Sequence, residues 1–464
     1  MNYYPSPDIT ADTPATISQH RTLTNWGTKA DLAIFKGRHN FKVGTQLMQT
    51  RLHEQFGFGI TDPTDASFLD PDTGALFPGL VPYDLTRPGG KLLQFDGSKN
   101  INQYAFYIQD SIKFRNLQVQ AGLRVDTYHG IVSQSSAQPR VGFSYLISGT
   151  GTVIRASYSR TFETPYNENL IVSSATGTGG LAVNTFGGQT VPLQPGHRNQ
   201  YNAGLEQSFG RWLIASADYF WKYTNSAYDF GTLFSTPIAF PIAWSKSKLD
   251  GVSVRIGSTN LRGFQWTTTM GHTRARYFPP ENGGLVFNND VGESVFRIDH
   301  DQAFQQTTQL RYQKGRNGPW ISWTWRYDSG LSAGAVGSLD DALGLTGAQQ
   351  AAIGFFCGSQ HPTIDTPLTD AQCTVSNYGS TRLVIPKEGT ENDDHNPPRV
   401  APRHVFDIGA GTDNLFKAER FRTTLRFVVT NFTNKDALYN FLSTFSGTHF
   451  VQPRAYQAAI GFVF

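Results

Sequence analysis

Apolar and polar residues alternate along this chain with a period of two, the spacing that places side chains on opposite faces of a β-strand. Between Asn116 and Tyr128, apolar residues alternate with Gln118, Gln120, Gly122, Arg124 and Asp126. The C-terminal segment YQAAIGFVF repeats the pattern, with one face formed by Tyr456, Ala458, Ile460, Phe462 and Phe464. Helical periodicity is nearly absent. One face of each predicted strand therefore suits lipid, and the other suits water.

Such segments predict about 15 strands, near residues 22–35, 40–54, 101–114, 116–128, 139–148, 152–162, 198–209, 211–223, 243–257, 261–276, 302–314, 318–330, 404–416, 419–432 and 452–464. Tight turns alternate with long connections, which are 55–100, 163–197, 277–301 and 331–403. Short turns at one end and long loops at the other are typical of an outer-membrane barrel. We therefore expect an all-β fold, a transmembrane antiparallel up-and-down β-barrel with about 15–16 strands visible in residues 22–464.

The strand count also bears on how much of the barrel is present. If the long loops are extracellular, the last strand runs toward the periplasm, and so does the first. Residues 1–21, which are polar and contain Pro5, Pro7 and Pro14, are then expected to be the remnant of an extracellular loop. Bacterial single-chain barrels have an even number of strands. We therefore expect the chain to be the C-terminal part of a larger barrel.

The composition supports a barrel and excludes several other classes. Only 16% of the 464 residues are charged, 13% are aromatic, and 46 are glycine. No apolar run reaches the roughly 18 residues that a transmembrane helix needs. The net charge of +3 is too small to indicate a nucleic-acid partner. The N-terminus shows no secretion signal, so we expect either that a signal has been removed or that a longer gene product precedes it.

The two cysteines, Cys357 and Cys373, lie in one polar segment. An even count in such a segment suits a disulfide in an oxidising compartment, and two free thiols in a loop are the alternative. A zinc pair is disfavoured because thiolate sites show closer spacing and further ligands.

Two clusters of titratable residues are weak candidates for metal binding. One is Asp299, His300 and Asp301, which we expect at a strand entrance with alternating faces. The other is Asp393, Asp394 and His395, in the longest loop, where a solvated tip or a weak cation site is expected. No nucleophile elbow, phosphate loop or cofactor motif is present, so we predict no enzyme activity and no cofactor.

Polar residues on the water-facing side of the strands, most of them charged, are candidates for contacts inside the lumen. They can stabilise the barrel wall as a network, which we favour, or they can contact a ligand. The set comprises Gln118, Arg124, Asp126, Arg155, Asp218, Arg326, Arg422 and Arg426.

Several stretches resemble the barrels of TonB-dependent receptors, in particular those with an N-terminal carboxypeptidase-regulatory-like domain. They include YIQDSIKF followed by LQVQAGLRVDTY, and also PRVGFSYLI, FRIDHDQAFQQTTQLRY and the C-terminal DALYNFLSTFSGTHFVQPRAYQAAIGFVF. The resemblance implies a 22-stranded barrel in the outer membrane of a Gram-negative bacterium, surrounded by outer-membrane lipid. It also implies an N-terminal plug and a TonB box, neither of which is visible here.

By this resemblance the protein imports a small-molecule or oligomeric ligand, and TonB would act only through an N-terminal part that the sequence does not show. A passive, porin-like channel is the main alternative, and a surface adhesin or hydrolase is a weaker one. The final strand, with Tyr456, Ala458, Ile460, Phe462 and Phe464 on its apolar face, resembles the C-terminal signal that the outer-membrane assembly machinery reads.

Overall fold

One large antiparallel sheet dominates the computed structural model, which describes residues 2–3, 14–70, 72–174, 190–234, 236, 238–285, 294–443 and 447–463. Within these residues the sheet has 18 strands. Three are two-residue pieces, at Asn2–Tyr3, Thr190–Val191 and Phe296–Arg297. The others are consecutive wall strands: β1 Ala15–Lys36, β2 His39–Ile60, β3 Leu93–Phe114, β4 Leu117–His129, β5 Ser133–Ile147, β6 Thr152–Glu163, β7 Gly196–Phe209, β8 Leu213–Thr232, β9 Ala239–Ser258, β10 Phe264–Leu285, β11 Gln305–Gln313, β12 Pro319–Asp328, β13 Arg403–Thr412, β14 Arg422–Thr430 and β15 Ala455–Val463.

Each wall strand pairs antiparallel with the next one in the chain, from β1 to β15. The predicted up-and-down order and the strand number are therefore confirmed. Among the described residues, β1 pairs on its other side only with Asn2–Tyr3. No pairing joins β15 to β1 in that part of the chain.

The connections follow the alternation that the sequence predicts. Short turns lie at one end of the sheet, at 37–38, 115–116, 148–151, 210–212, 259–263, 314–318 and 413–421. The opposite end carries the loops 61–92, 164–195, 286–304, 329–402 and 431–454, together with two short connections, 130–132 and 233–238. Gly37 and Gly210 have φ angles of 60° and 57° in their turns, a region that a side chain would disfavour.

The two faces of the wall differ as expected for a membrane barrel. On β4, Leu123 and Val125 point outward, with 43% and 38% of their surface exposed. Gln120 and Arg124 lie on the other face, which is the interior, because successive side chains on a strand alternate.

Several predicted boundaries are wrong because the strands extend well beyond the membrane. β1 begins at Ala15, so the polar segment predicted at 1–21 is too long, and its residues 15–21 are wall. The predicted loops 55–100 and 277–301 also shrink, since β2 reaches Ile60, β3 starts at Leu93 and β10 reaches Leu285. A strand needs about 9–11 residues to cross a bilayer. Beyond the lipid the outward face no longer needs to be apolar, and at Phe56, Phe58 and Ile60 the apolar residues lie on the interior face instead. The pattern that marks a lipid-facing strand therefore ends before the strand does.

The loop 329–402 folds as a compact unit on the long-loop side. It contains α2 Leu339–Leu343 and α3 Gly347–Ile353, whereas α1, Leu170–Ser174, lies in the earlier loop 164–195. Cys357 and Cys373 form a disulfide with a Cα–Cα distance of 5.2 Å. Short strand pairs join Phe355–Cys357 to Tyr378–Ser380, and Leu383–Val384 to Arg399–Val400.

The hairpin of Leu438–Ser443 and Gly447–Phe450 adds to this unit, because Leu438 and Phe441 belong to the same apolar core as the disulfide. Two 3-10 turns, Ala66–Phe68 and Val81–Tyr83, lie in the loop 61–92. None of the described helices is long and apolar enough to cross a bilayer.

The assignment of faces predicts opposite effects for arginine at neighbouring positions of β4. Leu123→Arg should destabilise the barrel by about 2–4 kcal/mol, because it places a charge against lipid near the middle of the strand. Gln120→Arg, on the interior face, should be tolerated. The fraction of heat-modifiable folded barrel in outer-membrane preparations measures both, and equal behaviour of the two variants would show that the faces are misassigned.

Candidate functional site

The interior face of the wall carries ion pairs that involve most of the charged residues predicted there. Arg124 and Asp126, two residues apart on β4, form a bidentate pair in which both N–O distances are 2.7 Å. On β12, Arg326 donates to Asp407 of β13 at 3.0 Å. The pairing of neighbouring charges on the wall favours a structural network for these residues.

One ion pair spans three strands. Arg155 of β6 donates through Nε and Nη2 to Asp218 of β8, at 2.7 and 2.5 Å. The intervening strand β7 places Gly204 directly opposite both residues. A Cβ atom on Gly204 would lie 2.0 Å from Asp218 Oδ1 and 2.9 Å from Arg155 Nε. The glycine therefore provides the space in which the two side chains meet.

The two remaining predicted arginines lie on the same interior face near the end of the chain. Arg426 of β14 is opposite Gly411 and Ala459, and Arg422 is opposite Val463. On β15 the outward face carries Tyr456, Ile460 and Phe462, which are 64%, 62% and 64% exposed. Phe464, the last residue predicted for the assembly signal, lies outside the described residues.

Three basic residues surround Tyr107 on the interior of β3, and the sequence singled out only one of them, Arg124. Lys29, Lys42 and Arg124 lie 6.0, 5.9 and 5.8 Å from the centroid of its ring. The ring packs over Gly44, where an added Cβ would lie 2.5 Å from the tyrosine hydroxyl. This arrangement depends on register between strands far apart in sequence, so periodicity alone could not reveal it.

An apolar core lies at the long-loop end of the wall, which we call the mouth. There the interior faces of β1, β2 and β3 turn apolar and pack against the loop 61–92 and the hairpin end of β8 and β9. This mouth cluster comprises Ala15, Ile17, Phe56, Phe58, Ile60, Phe68, Leu80, Leu93, Val172, Ala227, Leu233, Ile238, Phe240, Ile242 and Trp244. Side chains of these strands, of the loop 61–92 and of the β8–β9 hairpin therefore form one packed core at this end of the wall.

Buried carboxylates lie beside the mouth cluster. Glu54 is 2% exposed and accepts from the backbone N–H of Val172 in α1 at 2.9 Å. Burial raises the pKa of Glu54, and the backbone hydrogen bonds only partly oppose this. Glu281 of β10 lies opposite Trp244. Burial, together with the nearby Asp229, raises the pKa of Glu281 to about 7.

The two clusters considered as metal sites are joined by arginine. Arg297 donates to Asp301 at 3.2 Å through Nη1 and to Asp394 at 3.0 Å through Nε. Asp301 is fully buried, and it also accepts from Arg399 at 2.6 Å. The prediction that Asp299, His300 and Asp301 alternate in a strand is wrong, since β11 begins only at Gln305.

Paired with cations, these carboxylates hold the loop 329–402 against the wall. His395 is 80% exposed and lies 3.9 Å from Asp394. Within the described ranges, no group of three or more His, Cys, Asp or Glu residues could hold a metal ion.

Residues 2–432 match the family model "TonB dependent receptor-like, beta-barrel". The chain belongs to the TonB-dependent receptor family. Barrels of this family lie in the outer membrane of Gram-negative bacteria and are receptors and transporters, not enzymes. No protein of curated function matches the sequence.

Solved structures of TonB-dependent transporters share the fold. The copper transporter OprC superposes with a TM-score of 0.57 at 11% identity, over 98% of this chain and 58% of that one. The ferric citrate transporter FecA in its unliganded form gives 0.54 at 14%, over 96% and 55%. BauA, the ferric preacinetobactin receptor from Acinetobacter baumannii, gives 0.52 at 12%, over 98% and 57%. The chain thus spans little more than half the length of these proteins.

The ion pair between Arg155 and Asp218 predicts that a methyl group added at Gly204 lowers the stability of this TonB-dependent receptor barrel. Gly204→Ala should lower the stability of the barrel by about 1 kcal/mol, because Arg155 and Asp218 can no longer meet and the pair is partly exposed. In an Asp218→Ala background the same change should cost much less, and Gly257→Ala, an interior glycine with ordinary contacts, should cost little. Thermal unfolding measures each variant. Additive losses in the double variant would contradict this account.

The raised pKa of Glu281 predicts that the stability of the protein depends on pH. The pKa of Glu281 in the folded protein lies above the unfolded value of 4.5. The free energy of unfolding is therefore unaffected by Glu281 below pH 4.5 and falls as the pH rises toward about 7, because the folded state then loses a proton less readily than the unfolded state. Glu281→Gln should raise stability by roughly 1 kcal/mol at about pH 8, after solvent screening, and leave it unchanged at about pH 4. Melting curves across this range, with the exposed Glu419→Gln as control, test this. A parallel pH profile in wild type and Glu281→Gln would contradict it.

Proposed function

We propose that this chain forms part of the barrel wall and the extracellular mouth of a TonB-dependent receptor, and that the receptor imports a scarce ligand across the outer membrane. The family match over residues 2–432 carries the proposal. In this proposal a plug domain and a TonB-binding segment act together with the described wall, and TonB supplies the energy for uptake. The named solved structures transport or bind copper, ferric citrate and ferric preacinetobactin, so a metal or a metal chelate is the first ligand class to test.

The apolar mouth cluster supports a gated receptor over a passive channel. A porin-like pore needs an open aqueous path through the barrel, whereas here fifteen buried apolar residues pack together at the extracellular end. Access would therefore require the mouth cluster to rearrange. The paired interior charges have a structural explanation, which leaves the mouth as the place where ligand selection would occur.

Two measurements, one in cells and one in liposomes, separate these functions. In cells, uptake of radiolabelled ferric citrate and of copper is compared with and without TonB, and we expect uptake of one of them to disappear without TonB. In liposomes, we expect no swelling with small sugars, in contrast to a porin control. Uptake that persists without TonB, or swelling that matches the porin, would overturn the proposal.

We also propose that the outward face of β15 directs assembly, because Tyr456, Ile460 and Phe462 form an exposed apolar row at the end of the wall. Ile460→Asp should reduce the folded barrel in outer-membrane fractions by more than a charge against lipid alone would, since acidic residues cost less than the roughly 2–4 kcal/mol of basic ones. Ala459→Asp, on the interior face, is the matched control. Equal amounts of folded Ile460→Asp and wild-type barrel would contradict the assignment.

A further inference from the structure

The interior wall has a hollow beside the basic group around Tyr107. Gly122 of β4 lies directly between Gln109 of β3 and Arg140 of β5, so the wall carries no side chain at that point. The cavity that results has a volume of about 210 Å³. We call it the Gly122 cavity. Its charged and hydroxyl-bearing lining residues are Lys29, Lys42, Tyr107, Arg124 and Arg140.

The Gly122 cavity opens into the lumen. Arg124 lies on the interior face, and Gly122 shares that face because it is two residues away on the same strand. Directly opposed residues also share a face, which adds Arg140 opposite Gly122 and Tyr107 opposite Arg124. Between Gly122 and Arg124, Leu123 points outward toward lipid. The cavity therefore lies within the membrane-spanning part of the wall and is shielded from lipid.

The cations around the cavity outnumber the carboxylates that contact them. Lys29 of β1 and Lys42 of β2 share one carboxylate, that of Asp31, at 3.4 and 3.5 Å. The bidentate pair on β4 is neutral by itself. Arg140 is exposed to the lumen and forms no ion pair in the described part of the chain. The excess is two positive charges, which repel each other unless an anion compensates them.

Tyr107 adds a hydrogen-bond donor to the cavity. Only 9% of its surface is exposed, and its hydroxyl has no hydrogen-bond partner among the described residues. Buried polar groups in folded proteins nearly always have a partner. The hydroxyl is therefore left for an acceptor that the described wall does not supply.

We propose that the Gly122 cavity binds a dianionic oxyanion of the phosphate class inside the lumen. Two negative charges match the excess of two positive charges. A guanidinium group donates two parallel N–H groups to one oxyanion, and ammonium groups contribute as compact charges. The Tyr107 hydroxyl completes the set of donors. A carboxylate of a plug domain carries a single charge and matches this excess less well.

The test measures binding of radiolabelled inorganic phosphate by equilibrium dialysis, with the full chain purified from outer membranes in a neutral detergent. At about pH 8 the phosphate is mostly a dianion. Arg140→Gln and Tyr107→Phe should each weaken binding by about tenfold, because each loses a hydrogen bond to a charged group. Heat modifiability shows whether each variant is folded.

Arg255→Gln on β9 is the matched control. Arg255 lies on the interior face opposite Ser216, is exposed, and like Arg140 forms no ion pair within the described ranges. Its replacement removes the same charge from another part of the lumen and should leave the phosphate affinity unchanged. Equal losses in Arg255→Gln and Arg140→Gln would show a general effect of lumen charge and overturn the proposal.

A second readout separates a binding role of Tyr107 from a structural one. Tyr107→Phe keeps the ring and removes a buried hydroxyl without a partner, so it should raise the melting temperature in the absence of phosphate while it weakens phosphate binding. A lower melting temperature with unchanged phosphate affinity would contradict the role of this hydroxyl as a donor to the anion.

Competitors define the class of ligand. Sulfate, a dianion, should displace phosphate, and acetate, a monoanion, should not. Tighter binding of glycerol phosphate than of inorganic phosphate assigns the cavity to phosphate esters, and the reverse assigns it to the free ion. Displacement by acetate, or no phosphate binding to the folded wild type, as when a plug carboxylate fills the cavity, would overturn the proposal. These outcomes concern binding alone, so they are independent of the proposed uptake.

Discussion

Backbone hydrogen bonding between neighbouring strands is the interaction on which the rest of this structure depends. In lipid, an unpaired N–H or C=O group costs several kcal/mol, so every membrane-spanning strand needs a partner along its whole length. Strands that follow one another in the chain can pair through the shortest turns. Each wall strand from β1 to β15 accordingly pairs with the next. That order fixes which residues are opposed. The ion pair over Gly204 and the basic group around Tyr107 both follow from it.

The part of the fold inside the membrane could be predicted from the sequence, and the part outside it could not. Lipid on one face and water on the other impose a period of two, which locates β4 and β7 to within a few residues. At Ala15–Arg21 and Gln55–Ile60 the outward face is no longer apolar, and the apolar residues Ala15, Ile17, Phe56, Phe58 and Ile60 lie on the interior face. A search for lipid-facing strands therefore predicts loops there. Charged residues of the interior were predicted by face, but their partners depend on register. Arg155 could not be matched to Asp218 without knowing that Gly204 lies between them.

The loop residues show the same limit. In the sequence, Asp299–Asp301 and Asp393–His395 are separate clusters, and both are weak candidates for metal binding. In the folded chain Arg297 contacts Asp301 and Asp394 together, and Arg399 adds a second cation. Carboxylates that already accept from arginine neutralise its charge and anchor a loop. Local composition identified the right residues, but only the three-dimensional contacts reveal their role.

The length of strands β1 and β2 also helps to fix their register during assembly of the barrel. Because each strand runs without interruption from the membrane into the mouth, both regions share one register. A slip of one residue would turn every side chain to the opposite face. Phe56, Phe58 and Ile60 would then leave the apolar core and meet water at the same moment that polar residues met lipid. A misaligned hairpin therefore loses free energy both in the membrane and in the mouth. The free-energy gap between the correct and the slipped register is larger than the membrane segment alone would provide.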